Sequence, residues 1–266
     1  MVSEPDIDRR RLAFGNVAEL YDEARPAYPP AVIDELIDAA DLKPGALVRE
    51  VGAGTGKATR MLAARGLAVL ALEPSAAMAE VARRNLANDP LVQIEQSDFE
   101  TWRPRGQVQA LVSAQAWHWI SPQLRYVRAG QALRSGGLLA AIWTLPVWES
   151  NELRRELREV YSRTVPELAA GFPMHPAGVS ADLAGDWHAE IEGSDAFARP
   201  RVREHPWSCT YATAAYLQLL QTHQDHILLT PEQQSALLSA IAAVLDRAGA
   251  RITMDYVTRL CLAERV

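Results

Sequence analysis

The 266-residue chain is long enough for one large domain carrying a sizeable insertion, and its composition of 48% hydrophobic and 23% charged residues excludes a disordered or collagen-like chain. A formal net charge of -6 gives no long-range pull toward phosphate backbones or anionic lipid, so neither nucleic acid nor membrane is an expected partner. Cys209 and Cys261 are too few for a disulfide framework or a four-thiolate metal site, the apolar stretch 138–143 is far short of the roughly 20 residues that span a bilayer, and MVSEPDIDRRR is unlike a signal peptide; a cytoplasmic protein is expected.

Strand and helix alternate through the first 145 residues. ALVREV (46–51) is a short valine-rich run ending at a glycine cluster, as a buried parallel strand does. GKATRMLAARG then reads as a helix closed by Gly66. AVLALE (68–73) predicts a second strand, and SAAMAEVARRNLAN a second helix that stops before Asp89 and Pro90. LVQIEQ (91–96) alternates with period two, VQALVS (108–113) follows as a fourth strand, and a helix over 122–133 leads through Ser135, Gly136 and Gly137 to a fifth strand, LLAAIW (138–143). Right-handed crossovers of this length imply an open, doubly wound α/β sheet.

The rhythm then changes. Residues 147–163 look helical, and the stretch to about 201 is broken by Pro166, Gly171, Pro173, Pro176, Gly178, Gly185, Gly193 and Pro200, which reads as an insertion over the sheet's functional edge. Helical segments at 212–226 and 231–248 precede ARITMDYVTRLCLAERV, whose alternation predicts a final strand. The expected organisation is a single domain, 1–266: a helical arm (1–40), a cofactor-binding core (41–145), a cap insertion (146–201), and C-terminal helices and strands completing the sheet (202–266).

EVGAGTGK (50–57) stands directly between the first strand and the first helix. Gly52, Gly54 and Gly56 let the backbone turn tightly and approach a ligand closely; they would also serve a purely structural turn. The dinucleotide fingerprint needs glycine where Lys57 stands, which disfavours a nicotinamide-dependent oxidoreductase, and the lysine is followed by Ala58, which disfavours a P-loop. The second strand ends at Glu73, about 20 residues after the loop, where a carboxylate can accept from both ribose hydroxyls. Met78 is placed either for an adenine face or for the core. Asp98 and Phe99 follow the third strand, the aspartate suited to the adenine amino group. In such a sheet all three strand ends face one crevice.

These motifs, with VREVGAGTG (48–56), ALEPSAAM (71–78), QSDFE (96–100), VQALVSAQAWHWI (108–120) and ALRSGGLLAAIW (132–143), resemble the class I S-adenosylmethionine-dependent methyltransferases. The arm FGNVAELYDEARPAYP (14–29) looks like the opening of a small-molecule subgroup akin to the trans-aconitate methyltransferases. The resemblance implies a Rossmann-like, seven-stranded, mostly parallel sheet and S-adenosylmethionine as cofactor, leaving S-adenosylhomocysteine as product. It implies that Glu50 holds the methionine ammonium. Gly52, Ala53, Gly54 and Gly56 would run under the methionine and ribose, Glu73 would take the ribose hydroxyls, and Met78, Asp98 and Phe99 would surround the adenine. Gln115 would line the methionine side, while Tyr21 and Arg25 would close over the cofactor from the arm. Arg49 departs from the pattern, since an apolar residue is usual there.

For the acceptor, His118 in AWHWI is the candidate general base, with a structural histidine between Trp117 and Trp119 as the other reading. Trp117, Trp119, Trp143 and Trp148 are candidates for an aromatic wall, and core packing explains some of them equally well. His223, Asp225 and His226 lack the further ligand a metal site needs and are expected on a helix surface. No metal is expected. The expectation is methyl transfer to oxygen or nitrogen of a small-molecule acceptor by a monomer or homodimer; the rival is a protein that binds S-adenosylmethionine without transferring its methyl.

Overall fold

The computed structural model describes residues 14–147, 151–169 and 187–266. Among the described residues a short 3-10 helix (Phe14–Val17) leads into α1 (Ala18–Ala24), and α2 (Pro30–Ala39) follows before β1 (Leu47–Val51). Then come α3 (Lys57–Ala63), β2 (Ala68–Leu72), α4 (Ala76–Asn85), β3 (Val92–Glu95), β4 (Val108–Ala114), α5 (Pro122–Ala132) and β5 (Leu133–Val147). After these lie α6 (Glu152–Thr164), α7 (Pro166–Ala169), α8 (Trp187–Glu192), β6 (Arg201–Ala212), α9 (Thr213–Gln221), α10 (Gln224–Ile227), α11 (Pro231–Arg247) and β7 (Arg251–Glu264).

The seven strands form one sheet in the order β3-β2-β1-β4-β5-β7-β6, with β3, β2, β1, β4 and β5 paired in parallel. The strand sequence reverses between β1 and β4, the switch point at which crossovers leave a crevice outside the carboxyl ends of a doubly wound sheet. Register makes those ends level: Val51 pairs with Leu72, Leu72 with Glu95, and Glu50 with Val112. One side of the sheet packs Val48, Val69, Ala71, Val112, Ala140 and Ile142 against Val32, Ile33 and Leu36 of α2 and Leu62 of α3. Each of the valine, leucine and isoleucine side chains here, fully buried, contributes on the order of 1.5–3 kcal/mol.

Three elements differ from the sequence reading. β5 begins at Leu133 because the Ser-Gly-Gly turn is a bulge within the strand: Val108 pairs with Leu133 and Ala110 with Leu138, so Arg134 to Gly137 loop out opposite Gln109. β6 was not located, because Pro206 and the charged RVREH run mask its alternation; as the outermost strand in the sheet order it tolerates a proline. The helix expected over 212–226 breaks at Thr222, giving α9 and α10.

The described residues fall into two compact units. One holds those within Ala27–Thr144, Ala181–His205 and Thr258–Val266, and contains the strand ends of the crevice. The other holds those within Met1–Pro26, Leu145–Ser180 and Pro206–Val257. Its core gathers Leu157, Val160, Tyr161, Tyr216, Leu237 and Ile241 with Tyr211 of β6 and Tyr256 of β7. α11 enters this unit through a reciprocal cap, Thr230 accepting from Gln233 N–H and the Gln233 side chain accepting from Thr230 N–H. Among the described residues no helix is long and apolar enough to cross a membrane.

Candidate functional site

The glycine loop leaves β1 with Gly52 N–H and Ala53 N–H both donating to the Leu72 carbonyl, at 2.9 and 3.1 Å, which locks the loop to the end of β2. Gly52 has φ +70°, and a Cβ there would lie 2.2 Å from the Ala116 Cβ, so only glycine lets the loop pass the segment after β4. Gly54 has φ +57° and nothing within 4 Å of where its Cβ would be. One glycine is therefore required by the protein's own packing, and the other leaves space over the loop.

Glu73 sits at the tip of β2 with its carboxylate fixed by two backbone donors, Gly54 N–H to Oε2 at 2.8 Å and Ser75 N–H to Oε1 at 2.9 Å. Ser75 also caps α4, its Oγ accepting from Met78 N–H. Glu50, 1% exposed, accepts a 2.6 Å hydrogen bond from Thr59 of α3. Burial pushes its pKa up to about 8; the Thr59 hydroxyl opposes that rise and the Glu73 charge adds to it. Thr59 was not singled out from the sequence; its place in the first turn after the loop is the signal that would have found it.

The third strand end is built differently. Asp98 Oδ1 accepts from Glu100 N–H at 2.9 Å, and its carbonyl accepts from Thr101 N–H and Trp102 N–H, making a tight turn. Phe99, 3% exposed, stacks on Trp102 with centroids 6.4 Å apart and lies tilted against Trp117 at 6.2 Å. Met78 is buried as well. At the end of β4, Ser113 Oγ donates to the Val51 carbonyl, and Gln115 takes φ +60° while its side chain donates to the Thr144 carbonyl at 2.9 Å. A non-glycine residue in that conformation is a strained turn. The unit containing the crevice thus holds Glu50, Gly52, Ala53, Gly54, Gly56, Glu73, Met78, Asp98, Phe99 and Gln115. Tyr21 and Arg25 belong to the other unit, where Arg25 donates to Thr222 Oγ1 at 2.8 Å and to its carbonyl at 3.0 Å.

His118 accepts from Trp143 Nε1–H through Nδ1, at 3.3 Å, and lies against Trp119 with ring centroids 4.7 Å apart. Burial, then the nearby Arg125 charge, push its pKa down to about 4. The neutral ring therefore carries its proton on Nε2, and its one lone pair already serves Trp143. The ring is thus bonded to one indole and lies against another. Trp117, at 1% exposure, packs edge-on against Tyr126 at 5.8 Å, which makes it core and corrects its placement in an aromatic wall. Trp143 is also buried, 6.2 Å from Trp187. Trp119 is half-buried, and Trp148 lies outside the described residues. His226 is buried, with Nε2 2.7 Å from the Tyr161 hydroxyl, which corrects the helix-surface expectation. Among the described residues no three potential ligands form a metal-binding group.

Residues 48–137 match the family described as a methyltransferase domain. That segment runs from β1 into β5, and the strand order around it is that of the class I, Rossmann-like methyltransferase fold. It is 38% identical over 132 residues to an uncharacterized methyltransferase of Mycobacterium tuberculosis, covering 50% of this chain and 52% of that protein. A probable S-adenosylmethionine-dependent methyltransferase of Saccharomyces cerevisiae is 29% identical over 126 residues, 45% of this chain and 43% of its own. The chain thus spans about half the length of these curated relatives. Among solved structures, a putative type II methyltransferase from Anaeromyxobacter dehalogenans superposes with a TM-score of 0.59 at 23% identity, covering 91% of this chain and 97% of its own. A Haemonchus contortus phosphoethanolamine N-methyltransferase, in complex with phosphomonomethylethanolamine and S-adenosylhomocysteine, superposes with a TM-score of 0.57 at 15% identity over 99% of this chain and 60% of its own.

Proposed function

We propose that the protein is an S-adenosylmethionine-dependent methyltransferase acting on oxygen or nitrogen of a small molecule. The observation that carries this reading is the Glu73 carboxylate, preset by Gly54 N–H and Ser75 N–H beside a glycine loop with open space over Gly54. A carboxylate fixed at the tip of the second strand, about 20 residues after the loop, suits the two hydroxyls of a ribose. Glu50 suits the methionine ammonium: a buried carboxyl that burial keeps protonated is ionised when a cation arrives beside it, and the Thr59 hydroxyl stays to orient it. Asp98 and Phe99 would flank the adenine, with Met78 beneath it, and Gln115 the methionine side.

The bound cofactor supplies an activated methyl on a sulfonium, so the protein's share is orientation of the acceptor and exclusion of water. His118 in this reading is a positioning residue that fixes the Trp143 indole, and an acceptor that arrives as a neutral amine or an already ionised oxygen needs no base. Trp119 is the half-buried aromatic beside it that would meet an apolar acceptor. The chain would act as one domain, 1–266, in the cytoplasm, as a monomer or homodimer.

The test is incubation with methyl-labelled S-adenosylmethionine and a pool of small amines, alcohols and carboxylic acids, read by mass spectrometry. The reading predicts S-adenosylhomocysteine formed in step with one labelled product. Tight binding with no acceptor consumed from any pool would replace it with a non-transferring binding protein.

A further inference from the structure

Arg49 lies in the middle of β1 with 3% of its surface exposed, a charged side chain inside a buried parallel strand. Removing a guanidinium from water costs several kcal/mol, which is recovered only when its donors are all matched. Here the matching is partial. Nη2 donates to the Gly106 carbonyl at 3.0 Å, while Nε and Nη1 are buried with no hydrogen-bond partner among the described residues. Among the described residues no carboxylate lies within ion-pair distance of it; the Glu95 charge at the end of β3 favours the cation from further away but does not outweigh the burial. Its main contact is aromatic, the guanidinium carbon lying 4.6 Å from the centroid of the Trp102 ring. A desolvated contact of this kind is worth about 2 kcal/mol, less than the desolvation it accompanies, so an apolar residue at this position would make a more stable strand. Fold stability does not account for an arginine here.

What the guanidinium does hold is one specific piece of chain. Trp102 and Gly106 both belong to the connection from β3 to β4. Trp102 N–H closes the turn on the Asp98 carbonyl at 2.8 Å, and the Trp102 ring stacks on Phe99 with 22° between planes. One cation rooted in β1, the strand that ends at the glycine loop, therefore fixes both the ring behind Phe99 and the far end of the same connection.

We propose that Arg49 is a positioning residue for adenine recognition: stacked on Trp102 and bonded to the Gly106 carbonyl, it holds the 98–106 connection so that Asp98 and Phe99 present one fixed edge to the base. This rests on the cofactor reading above and extends it to how the base is selected. Arg49 touches no cofactor atom in this account. Its effect runs through Trp102, so it should alter base preference without altering recognition of the amino-acid end.

The experiment uses the full chain and three probes in calorimetric titration. They are S-adenosylhomocysteine, S-inosylhomocysteine (in which an oxygen replaces the adenine amino group) and 5′-methylthioadenosine, which lacks the amino-acid end. R49L should melt no lower than the wild type, yet bind S-adenosylhomocysteine and methylthioadenosine about tenfold more weakly, with the preference for adenosyl over inosyl narrowed. R49K, which keeps a cation over the ring, should recover part of that loss. W102L should lose as much as R49L, and the double variant no more than either alone. If R49L does not fold, R49K, W102L and their double variant carry the same comparison. Unchanged affinity and base preference in the folded variants, or losses that multiply in the double variant, would overturn the proposal. A wild-type protein that binds none of the three compounds would overturn the cofactor reading itself, whereas wild-type binding with unaltered variants overturns the role of Arg49 alone.

Discussion

At the tips of β1 and β2 the buried polar groups are carboxyls, Glu50 and Glu73, held by one hydroxyl and two backbone N–H groups. The unit built around α6, α9 and α11 buries a different set: the Tyr161 hydroxyl on His226, the Tyr211 hydroxyl 3.2 Å from that of Tyr256, and Trp207 stacked on Tyr256 at 4.6 Å. Burial pushes the His226 pKa down to about 4 and raises those of Tyr161, Tyr211 and Tyr256, so every member stays uncharged across neutral pH. Glu50, raised to about 8, is the buried group placed to change charge near neutrality. The contrast teaches what each region is for. A neutral, mutually bonded cluster specifies packing, whereas a carboxyl that burial keeps protonated is ready to exchange its proton for a ligand's cation.

The comparison breaks most completely at the glycine loop. Gly52→Ala places a Cβ against Ala116 at a positive φ, and should cost roughly 2–4 kcal/mol of stability together with all measurable cofactor binding. Thermal unfolding and S-adenosylhomocysteine titration of the variant check both.

Glu50 sharpens it through pH. Because its pKa in the ligand-free protein is about 8, an ammonium bound beside it must displace a proton at lower pH. Affinity for S-adenosylhomocysteine should therefore rise by up to tenfold per unit from pH 6 to 7 and level off near 8, and Glu50→Gln should abolish the slope. The sign for stability is opposite: a carboxyl whose folded pKa is raised costs stability as pH climbs from its unfolded value toward 8, so the ligand-free Glu50→Gln variant should gain on the wild type over that range. Denaturant melts of the two proteins at pH 5 and 8 decide this.

In the other region, Tyr161→Phe leaves the buried His226 Nε2 unpaired and should cost about 1–3 kcal/mol, with S-adenosylhomocysteine affinity unchanged within twofold. A parallel loss of affinity would erase the functional distinction drawn here.

The smallest effect concerns His118, whose folded pKa is lowered to about 4. Its contribution to stability is present above its unfolded value and is lost as pH falls through the folded one. His118→Gln, which keeps an acceptor for Trp143, should remove at most about 1.4 kcal/mol per unit of that acid-side slope. Chemical denaturation from pH 7 to pH 4 measures it.

How far each region could be read from sequence follows the same division. The crevice lies at three successive strand ends, so Glu50, Gly52 to Gly56, Glu73 and Asp98 are ordered by local pattern, and the strands up to β4 fall close to where hydrophobic runs and glycines put them. Thr59 escaped notice because a threonine inside a helix carries no signal until the Glu50 carboxyl is placed beside it. Trp117 and Trp143 were ambiguous because an indole's exposure depends on what packs against it, here Phe99, Tyr126 and Trp187, from distant segments. The Tyr161–His226 pair joins residues 65 apart in sequence, and β6 is hidden by Pro206 and its charges, so nothing within one window announced either. Arg49 was visible as a departure, but its partners Trp102 and Gly106 were not.

The central claim, that the ends of β1 and β2 hold an adenosyl amino acid through Glu73 and Glu50, is tested most directly by calorimetric titration of S-adenosylhomocysteine into the wild-type protein and Glu73→Ala at pH 8. The account predicts saturable one-to-one binding by the wild type and a loss of more than tenfold in the variant. Equal affinity in the two proteins, or no binding by the wild type, would contradict it.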